Sequence, residues 1–233
     1  RWPRPHPDGV PPSHAEPAAP HWVVVATGVT ALILVVLPVL WHGLAFVGTA
    51  FHEAGHALTG MVRGLGVKHV KIPRRGNAET GFHRGVDHVV VALAGYLGPT
   101  GFGLLGAAIL RNGSTEALLW VLDVGLVLLL LAVRNVFGFF VVGALLAVSM
   151  LVSWFGSAGT RMGYSYVLVW FLLLAAVREM FRLTRLVFGG AKGSDAHAAR
   201  DLTRVPWLVW LLVFWAGTLG GLWLGYRILM YPG

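Results

Sequence analysis

The stretch His52-Glu53-Ala54-Gly55-His56 lies inside an apolar run from Leu44 to Val62. On a helix, two residues four apart project from one face, so the two imidazoles point the same way. Such a pair can bind Zn²⁺, and Glu53 beside it is placed to take a proton from a metal-bound water. Charged side chains in a membrane helix cost about 2.5–3.5 kcal/mol each on insertion scales, which makes them functional by default. The stretch therefore predicts a zinc site within a membrane protein.

The composition of the chain is that of a membrane protein. Of its 233 residues, 56% are hydrophobic and 12% are charged, and the mean hydropathy is +0.71. The formal net charge is +8, but the basic residues lie between apolar runs, as expected of loops that face anionic lipid headgroups. We therefore expect the lipid bilayer as a partner and exclude nucleic acid. Cysteine is absent, so His, Asp or Glu must supply every metal ligand.

The apolar runs predict an all-α polytopic membrane protein with about seven transmembrane helices, each near the length of about 20 residues that crosses a bilayer. The first 21 residues are rich in proline and predict a disordered cytoplasmic tail, and residues 22–233 predict a single transmembrane domain. Gly95, Gly98 and Pro99 lie at the centre of the third span and predict a break or kink. The predicted spans are residues 22–41, 44–62, 88–110, 116–133, 135–155, 164–181 and 205–226.

The segment between the second and third spans predicts a small β-hairpin at the cytoplasmic membrane surface. Apolar residues between 67 and 72 precede Pro73 and the turn-forming Arg75-Gly76-Asn77, after which the chain returns as a strand. Most lysines and arginines fall on the side that holds the N-terminal tail, this segment, Arg134 and the 182–204 loop. Because basic loops stay inside, we expect a multi-pass cell-membrane protein with a cytoplasmic N-terminus.

A catalytic zinc usually has three protein ligands and one open position, so His52 and His56 need a third partner. Asp123 lies in the middle of the fourth predicted span, where burial of an acid is costly. Glu179 ends the sixth span, and Asp195 precedes the last span on the side that the histidine-bearing helix approaches. The residues leave five choices for the third ligand: Asp123, Glu179, Asp195, His197 and Asp201.

The chain resembles the site-2-protease-like intramembrane zinc metallopeptidases, in particular a compact bacterial subgroup. The resemblance covers most of residues 40–230. The chain lacks the Leu-Asp-Gly motif, the Asn-x-x-Pro motif and the PDZ-like domain of better-known members. The resemblance rests on His52 to His56, on Ala94-Gly95-Tyr96-Leu97-Gly98-Pro99, on Arg134-Asn135-Val136-Phe137-Gly138, on Ser194-Asp195-Ala196 and on Leu202-Thr203-Arg204-Val205-Pro206.

This resemblance implies that Asp195 completes a Zn²⁺ site, that Glu53 is the general base, and that Asn135 helps to hold the substrate or the oxyanion. It implies hydrolysis of peptide bonds in a membrane protein substrate. Because a helix hides its carbonyls, the substrate must unwind locally, and we expect the unwound strand to pair with the predicted hairpin. Two other functions stay open. One is a divalent metal transporter, whose ligands would be spread over several spans. The other is a catalytically inactive relative that binds membrane partners.

Overall fold

A computed structural model of the chain describes residues 19–74, 78–84, 89–190 and 194–231. Residues 1–18, which are most of the predicted tail, lie outside the described residues. The first helix begins at His21, the last residue of that predicted tail. The structure is a helical bundle with one small antiparallel sheet. Its elements are α1 (His21–Val36), α2 (Pro38–Val62), β1 (Val67–Lys71), β2 (Glu79–Phe82), α3 (Val89–Arg111), α4 (Thr115–Ala132), α5 (Val136–Phe155), α6 (Ala158–Phe188), α7 (Asp195–Thr203) and α8 (Trp207–Met230).

The first predicted span, residues 22–41, is wrong in its last five residues. Helix α1 ends at Val36, and α2 begins at Pro38 with its axis turned by 99°. A proline inside a helix lacks the N–H that the helix needs and clashes with the preceding turn, but it is well accommodated at the first helical position. Leu37 accordingly has an extended backbone, as expected of a residue before proline. Trp41 therefore belongs to the same helix as the two histidines.

Four helices, α3, α4, α5 and α8, are long and apolar enough to cross a membrane, and the bent pair of α1 and α2 adds a fifth if it counts as one span. The predicted number of seven spans is not confirmed. Helix α6 is the central helix of the bundle: the middle of its length is largely buried, and it packs against α1, α3 and α8.

The predicted hairpin is present. β1 and β2 pair antiparallel, with Val70 opposite Thr80, while its turn, residues 75–77, lies outside the described residues. The other edge of β1 is covered by the junction between α4 and α5, where Val133 bridges to Val70 and the Arg134 N–H donates to the Val70 carbonyl at 2.9 Å. We call the end of the bundle that carries the sheet, this junction and α7 the hairpin end.

The opposite end of the bundle holds the starts of α4 and α6, which are joined by an ion pair of 3.0 Å between Glu116 and Arg161. Helix α1 runs in the same direction as α6. Its Val24 carbonyl accepts from Trp170 of α6 at 3.1 Å, and Trp41, which follows the bend, lies under Arg178 further along α6. The start of α1 thus lies away from the hairpin end. The predicted cytoplasmic N-terminus lies outside the described residues and stays a prediction.

The break predicted at the centre of the third span does not occur. Helix α3 runs unbroken from Val89 to Arg111 with Pro99 inside it. The glycines instead let two helices meet by their backbones: a Cβ on Gly98 would lie 3.0 Å from the carbonyl oxygen of Phe51 and 3.2 Å from the Cα of Gly55. Small residues at such crossings favour close packing of membrane helices. This contact brings α3 alongside the histidine-bearing turn of α2.

Candidate metal centre

The structure brings His52 and His56 of α2 together with Asp195, the first residue of α7. One ligand atom from each lies within 4.8 Å of the other two. Asp195 Oδ2 is 3.3 Å from His52 Nε2 and 3.4 Å from His56 Nε2. Two atoms bound tetrahedrally to one zinc at about 2.0–2.1 Å lie roughly 3.3–3.4 Å apart. Asp195 Oδ2 is therefore at ligand spacing from both histidine nitrogens, and the three atoms could hold one ion.

The imidazole of His56 is oriented by the backbone of α3. Its Nδ1 lies 2.7 Å from the carbonyl oxygen of Val91, so Nδ1–H donates to that carbonyl. This bond fixes the tautomer in which Nε2 carries a free lone pair, and it is the usual outer contact of a metal-binding histidine. The edge of the Tyr96 ring packs against the His52 ring, with centroids 4.8 Å apart. Helix α3 thus positions both imidazoles.

The Asp195 carboxylate is held at the N-terminus of α7, directly after the N-cap Ser194, where the helix dipole favours a negative charge. Its Oδ2 is buried and has no hydrogen-bond partner among the described residues. A buried, charged and unpartnered oxygen between two imidazole nitrogens fits a metal ligand.

Gly95 provides the space for this cluster. A Cβ built on Gly95 would collide with Asp195 Oδ2 and His56 Nε2, and it would lie 2.6 Å from His56 Cε1. No residue with a side chain fits at this position of α3 while the two ligand atoms stay where they are. The glycine predicted to break the helix is therefore the wall of the metal site.

Glu53 lies beside the cluster and is fixed by the sheet. Its side chain is almost completely buried, with a residue exposure of 2%. Thr80 of β2 donates from Oγ1 to Glu53 Oε2 at 2.6 Å. A short hydrogen bond to one carboxylate oxygen restricts the rotation of the group and leaves the other oxygen for chemistry. The hairpin thus contacts the acid next to the metal ligands.

Two cavities open on either side of these residues, with volumes of about 400 and 450 Å³. His52, Glu53 and Asp195 line both cavities. The first extends towards Trp41 and the second borders β2. An extended segment that enters one cavity and leaves by the other would therefore pass directly over the cluster.

A family model described as peptidase M50B-like matches residues 25–225, which is most of the chain. The chain belongs to this family, the site-2 proteases. Its members are membrane-embedded, zinc-dependent metallopeptidases, and the M50B-like group includes inactive proteins. No curated protein and no solved structure matches the chain at a significant level. The family predicted from the sequence motifs is thus confirmed.

In this member of the site-2 protease family, the side chain of Asn135 pairs with the backbone of Ile72. Its Oδ1 accepts from the Ile72 N–H at 2.9 Å, and its Nδ2 donates to the Ile72 carbonyl at 2.8 Å. Asn135 occupies the N-cap position of α5 but makes no capping bond with its side chain. A Cβ on Gly138 would collide with Asn135 Oδ1, so this glycine leaves room for the amide. The predicted oxyanion contact stays a prediction, whereas the observed bonds fasten β1 to the α4–α5 junction.

Among the described residues, Asp195 is the candidate third ligand that forms a group with the two histidines able to hold a metal ion, and the four other candidates of this peptidase-family chain are not part of that group. Each makes polar contacts elsewhere. Asp123 accepts from Ser149 and from Ser153, Glu179 pairs with Arg182, His197 contacts Ser194, and Asp201 pairs with Arg200.

Sequence reasoning missed three residues that shape the site. Thr80 and Val91 carry no sequence signal, because a threonine in a strand and a valine in a helix are ordinary. Gly95 lies in a quoted motif, and the density of small residues around it could have indicated a close helix crossing. What it makes room for follows only from the packing.

Proposed function

We propose that the chain is an intramembrane zinc metalloprotease that hydrolyses peptide bonds in membrane-spanning or membrane-proximal segments of other proteins. The observation that carries the proposal is the spacing of His52, His56 and Asp195 around one point, with Glu53 fixed beside them. Three protein ligands that leave one position open are typical of a catalytic zinc rather than of a closed structural site. Membership in the site-2 protease family supports the same reaction.

When bound, zinc would polarise the scissile carbonyl and make an attacking water more acidic. Glu53 then takes the proton from that water and delivers it to the leaving amine, as a general base followed by a general acid. Thr80 acts as a positioning residue, since its hydroxyl holds Oε2 of this carboxylate. His56 keeps its orientation through the Val91 carbonyl. Each group is thus fixed before a substrate arrives, which is the arrangement that enzymes favour.

The substrate is proposed to bind as an added strand on β2. One edge of the sheet is taken by the α4–α5 junction, and no further strand pairs with β2 in the part of the chain that the structure describes. The outer side of β2 borders the second cavity together with His52 and Glu53. Pairing with an edge strand recognises an unwound backbone without demanding particular side chains. Asn135 would support this step by holding β1 in place through Ile72.

The hairpin end is proposed to face the cytoplasm. The described arginines and lysines gather at this end, which is what the positive-inside rule expects of a cytoplasmic side. Those at the hairpin end are Arg63, Lys68, Lys71, Arg74, Arg84, Arg134, Arg178, Arg182, Arg185, Arg200 and Arg204, and those at the other end are Arg111, Arg161 and Arg227.

The experiment compares the wild-type chain with Glu53→Gln after purification in detergent. We expect about one zinc per chain in both proteins. Cleavage of a membrane-anchored reporter segment should fall by about 10²–10⁴ in the variant, because proton transfer is lost while the ligands remain. Glu116→Gln, which changes an exposed acid at the far end of the bundle, is the matched control and should cleave normally. Undiminished cleavage in Glu53→Gln would contradict the mechanism, and zinc without cleavage in the wild type would indicate an inactive relative.

A further inference from the structure

The last turns of α6 present a group of arginines that the proposed peptidase chemistry does not use. Arg178, Arg182 and Arg185 follow the spacing of one helix face. Together with Trp41 they line a further cavity of about 530 Å³, which shares Trp41, Glu179, Arg182 and Leu186 with the first cavity at the metal site. Its volume is within the roughly 300–1,000 Å³ usual for small-molecule sites. We call this cavity the arginine pocket.

The arginine pocket lies at the depth where a membrane surface is expected. Arg178 follows Ala158 by 20 residues, which corresponds to about 30 Å along the helix. This length equals the thickness of the hydrocarbon layer of a typical bilayer, about 30 Å. Since α6 packs against α3 and α8, both long enough to cross a membrane, we expect its arginines near the border between hydrocarbon and headgroups.

The two faces of this part of α6 differ sharply. Met180 and Leu183 are buried towards α7 and α8. The arginine face instead lies next to large apolar side chains that are open to the surroundings: Phe181 is 54% exposed and Leu186 is 43% exposed, and both line the arginine pocket. Positive charge beside exposed apolar surface matches an amphiphilic ligand better than a fully polar one.

The positive charge of the arginine pocket is only partly compensated. Arg182 pairs with Glu179 at 2.6 Å, and Arg178 lies over the Trp41 ring at 4.6 Å from its centroid. No carboxylate pairs with Arg178 or Arg185 among the residues that the structure describes. Two guanidinium groups in one cavity therefore lack an anion. Guanidinium groups bind phosphate through paired N–H donors, which makes a phosphate group the anion that best fits this set.

We propose that the arginine pocket binds the headgroup phosphate of an anionic phospholipid. Arg178 and Arg185 donate to the phosphate oxygens, Arg182 adds its remaining N–H groups, and the acyl chains lie along Phe181 and Leu186. The apolar wall selects the lipid over free phosphate, and the surplus positive charge selects anionic over zwitterionic lipids. This site is separate from the metal ligands and does not depend on peptidase activity.

The experiment measures lipid retention by native mass spectrometry of the full chain in detergent. The protein is mixed with equal amounts of phosphatidylglycerol and phosphatidylcholine, and we expect phosphatidylglycerol to be bound at least about tenfold better. The double variant Arg178→Gln with Arg185→Gln should lose about 25-fold in phosphatidylglycerol affinity, since each basic residue near the surface contributes about fivefold. Arg227→Gln is the matched control, because Arg227 also lies over a tryptophan, Trp223, but at the far end of the bundle.

A conservative variant and a competition with inorganic phosphate distinguish a lipid site from a site for free anions. Arg185→Lys retains the charge but loses the paired donors, so it should bind more weakly than the wild type and more tightly than Arg185→Gln. Sodium phosphate at 10 mM should not displace the lipid. Equal retention of both lipids by the wild type would overturn the proposal, as would unchanged binding in a double variant whose thermal unfolding is normal. Displacement by inorganic phosphate would mean that the pocket is a free-anion site.

Discussion

The change Gly95→Ala tests the metal centre at its most constrained point. Its Cβ would lie 2.6 Å from His56 Cε1, against the 3.4 Å at which ordinary contact begins, so the ring must move by about 0.8 Å. A zinc site tolerates deviations of about 0.2 Å from its ligand distances. Separation of the two helices would relieve this clash only by opening their close backbone contact, where a Cβ on Gly98 would lie 3.2 Å from the Cα of Gly55. Since changes outside the ligand set typically cost 10–100-fold, we expect displacement of the ligands to cost at least about 100-fold in zinc affinity.

The assay is a competition titration of the apo-protein with a chromophoric zinc chelator, supported by far-ultraviolet circular dichroism. Gly101→Ala is the control on the same helix, since a Cβ there meets nothing within 4 Å. This control should bind zinc normally and unfold at a slightly higher temperature, because alanine favours a helix over glycine by about 0.5–1 kcal/mol. If folded Gly95→Ala binds zinc within about threefold of the wild type, the three residues do not bind one ion as described.

Three further changes test other parts of the site. Asp195→Asn should lose stoichiometric zinc in elemental analysis, because it removes an anionic ligand, while Asp123→Asn should keep it; the reverse result would reassign the third ligand. Thr80→Ala should keep zinc and lower kcat by about tenfold with little change in KM, because Glu53 loses the hydroxyl that holds it. Thr80→Ser keeps the hydroxyl and should restore kcat, so an equal loss of kcat in Thr80→Ser would refute the role of the hydroxyl. Asn135→Ala should raise the hydrogen-exchange rate of the Ile72 amide roughly 30-fold, since two hydrogen bonds of about 1 kcal/mol each are lost, and an unchanged rate would show that the sheet is held otherwise.

The sequence predicted those parts of the site that lie within one turn of one helix. His52, Glu53 and His56 are positioned by helical periodicity alone, so their spacing encodes their geometry. The third ligand is different, because Asp123 and Asp195 offer the same carboxylate chemistry and only tertiary packing separates them. Asp195 was singled out by the family resemblance, and the structure places it next to both histidines.

The sequence predicted the fold class but not the direction of each helix in the bundle. Hydropathy correctly indicated apolar helices and a hairpin, yet it carries no information on chain direction. Pro38 ends α1 and starts α2 with a bend of 99°, so the start of α1 lies away from the hairpin end. Pro99, in contrast, sits inside an unbroken helix. The two prolines differ in what surrounds them, and a single sequence does not record those surroundings.

The pairing of Val70 with Thr80 has a consequence for how this chain can vary in length. Side chains alternate between the two faces of a strand, so a shift of one residue exchanges the faces. An insertion in the turn between β1 and β2 leaves the pairing intact. A single insertion or deletion within β2 would turn Thr80 away from Glu53 and present Glu79 or Gly81 instead, either an opposing carboxylate or no side chain at all. Homologues should therefore differ freely in the length of the turn while keeping the length of the strand.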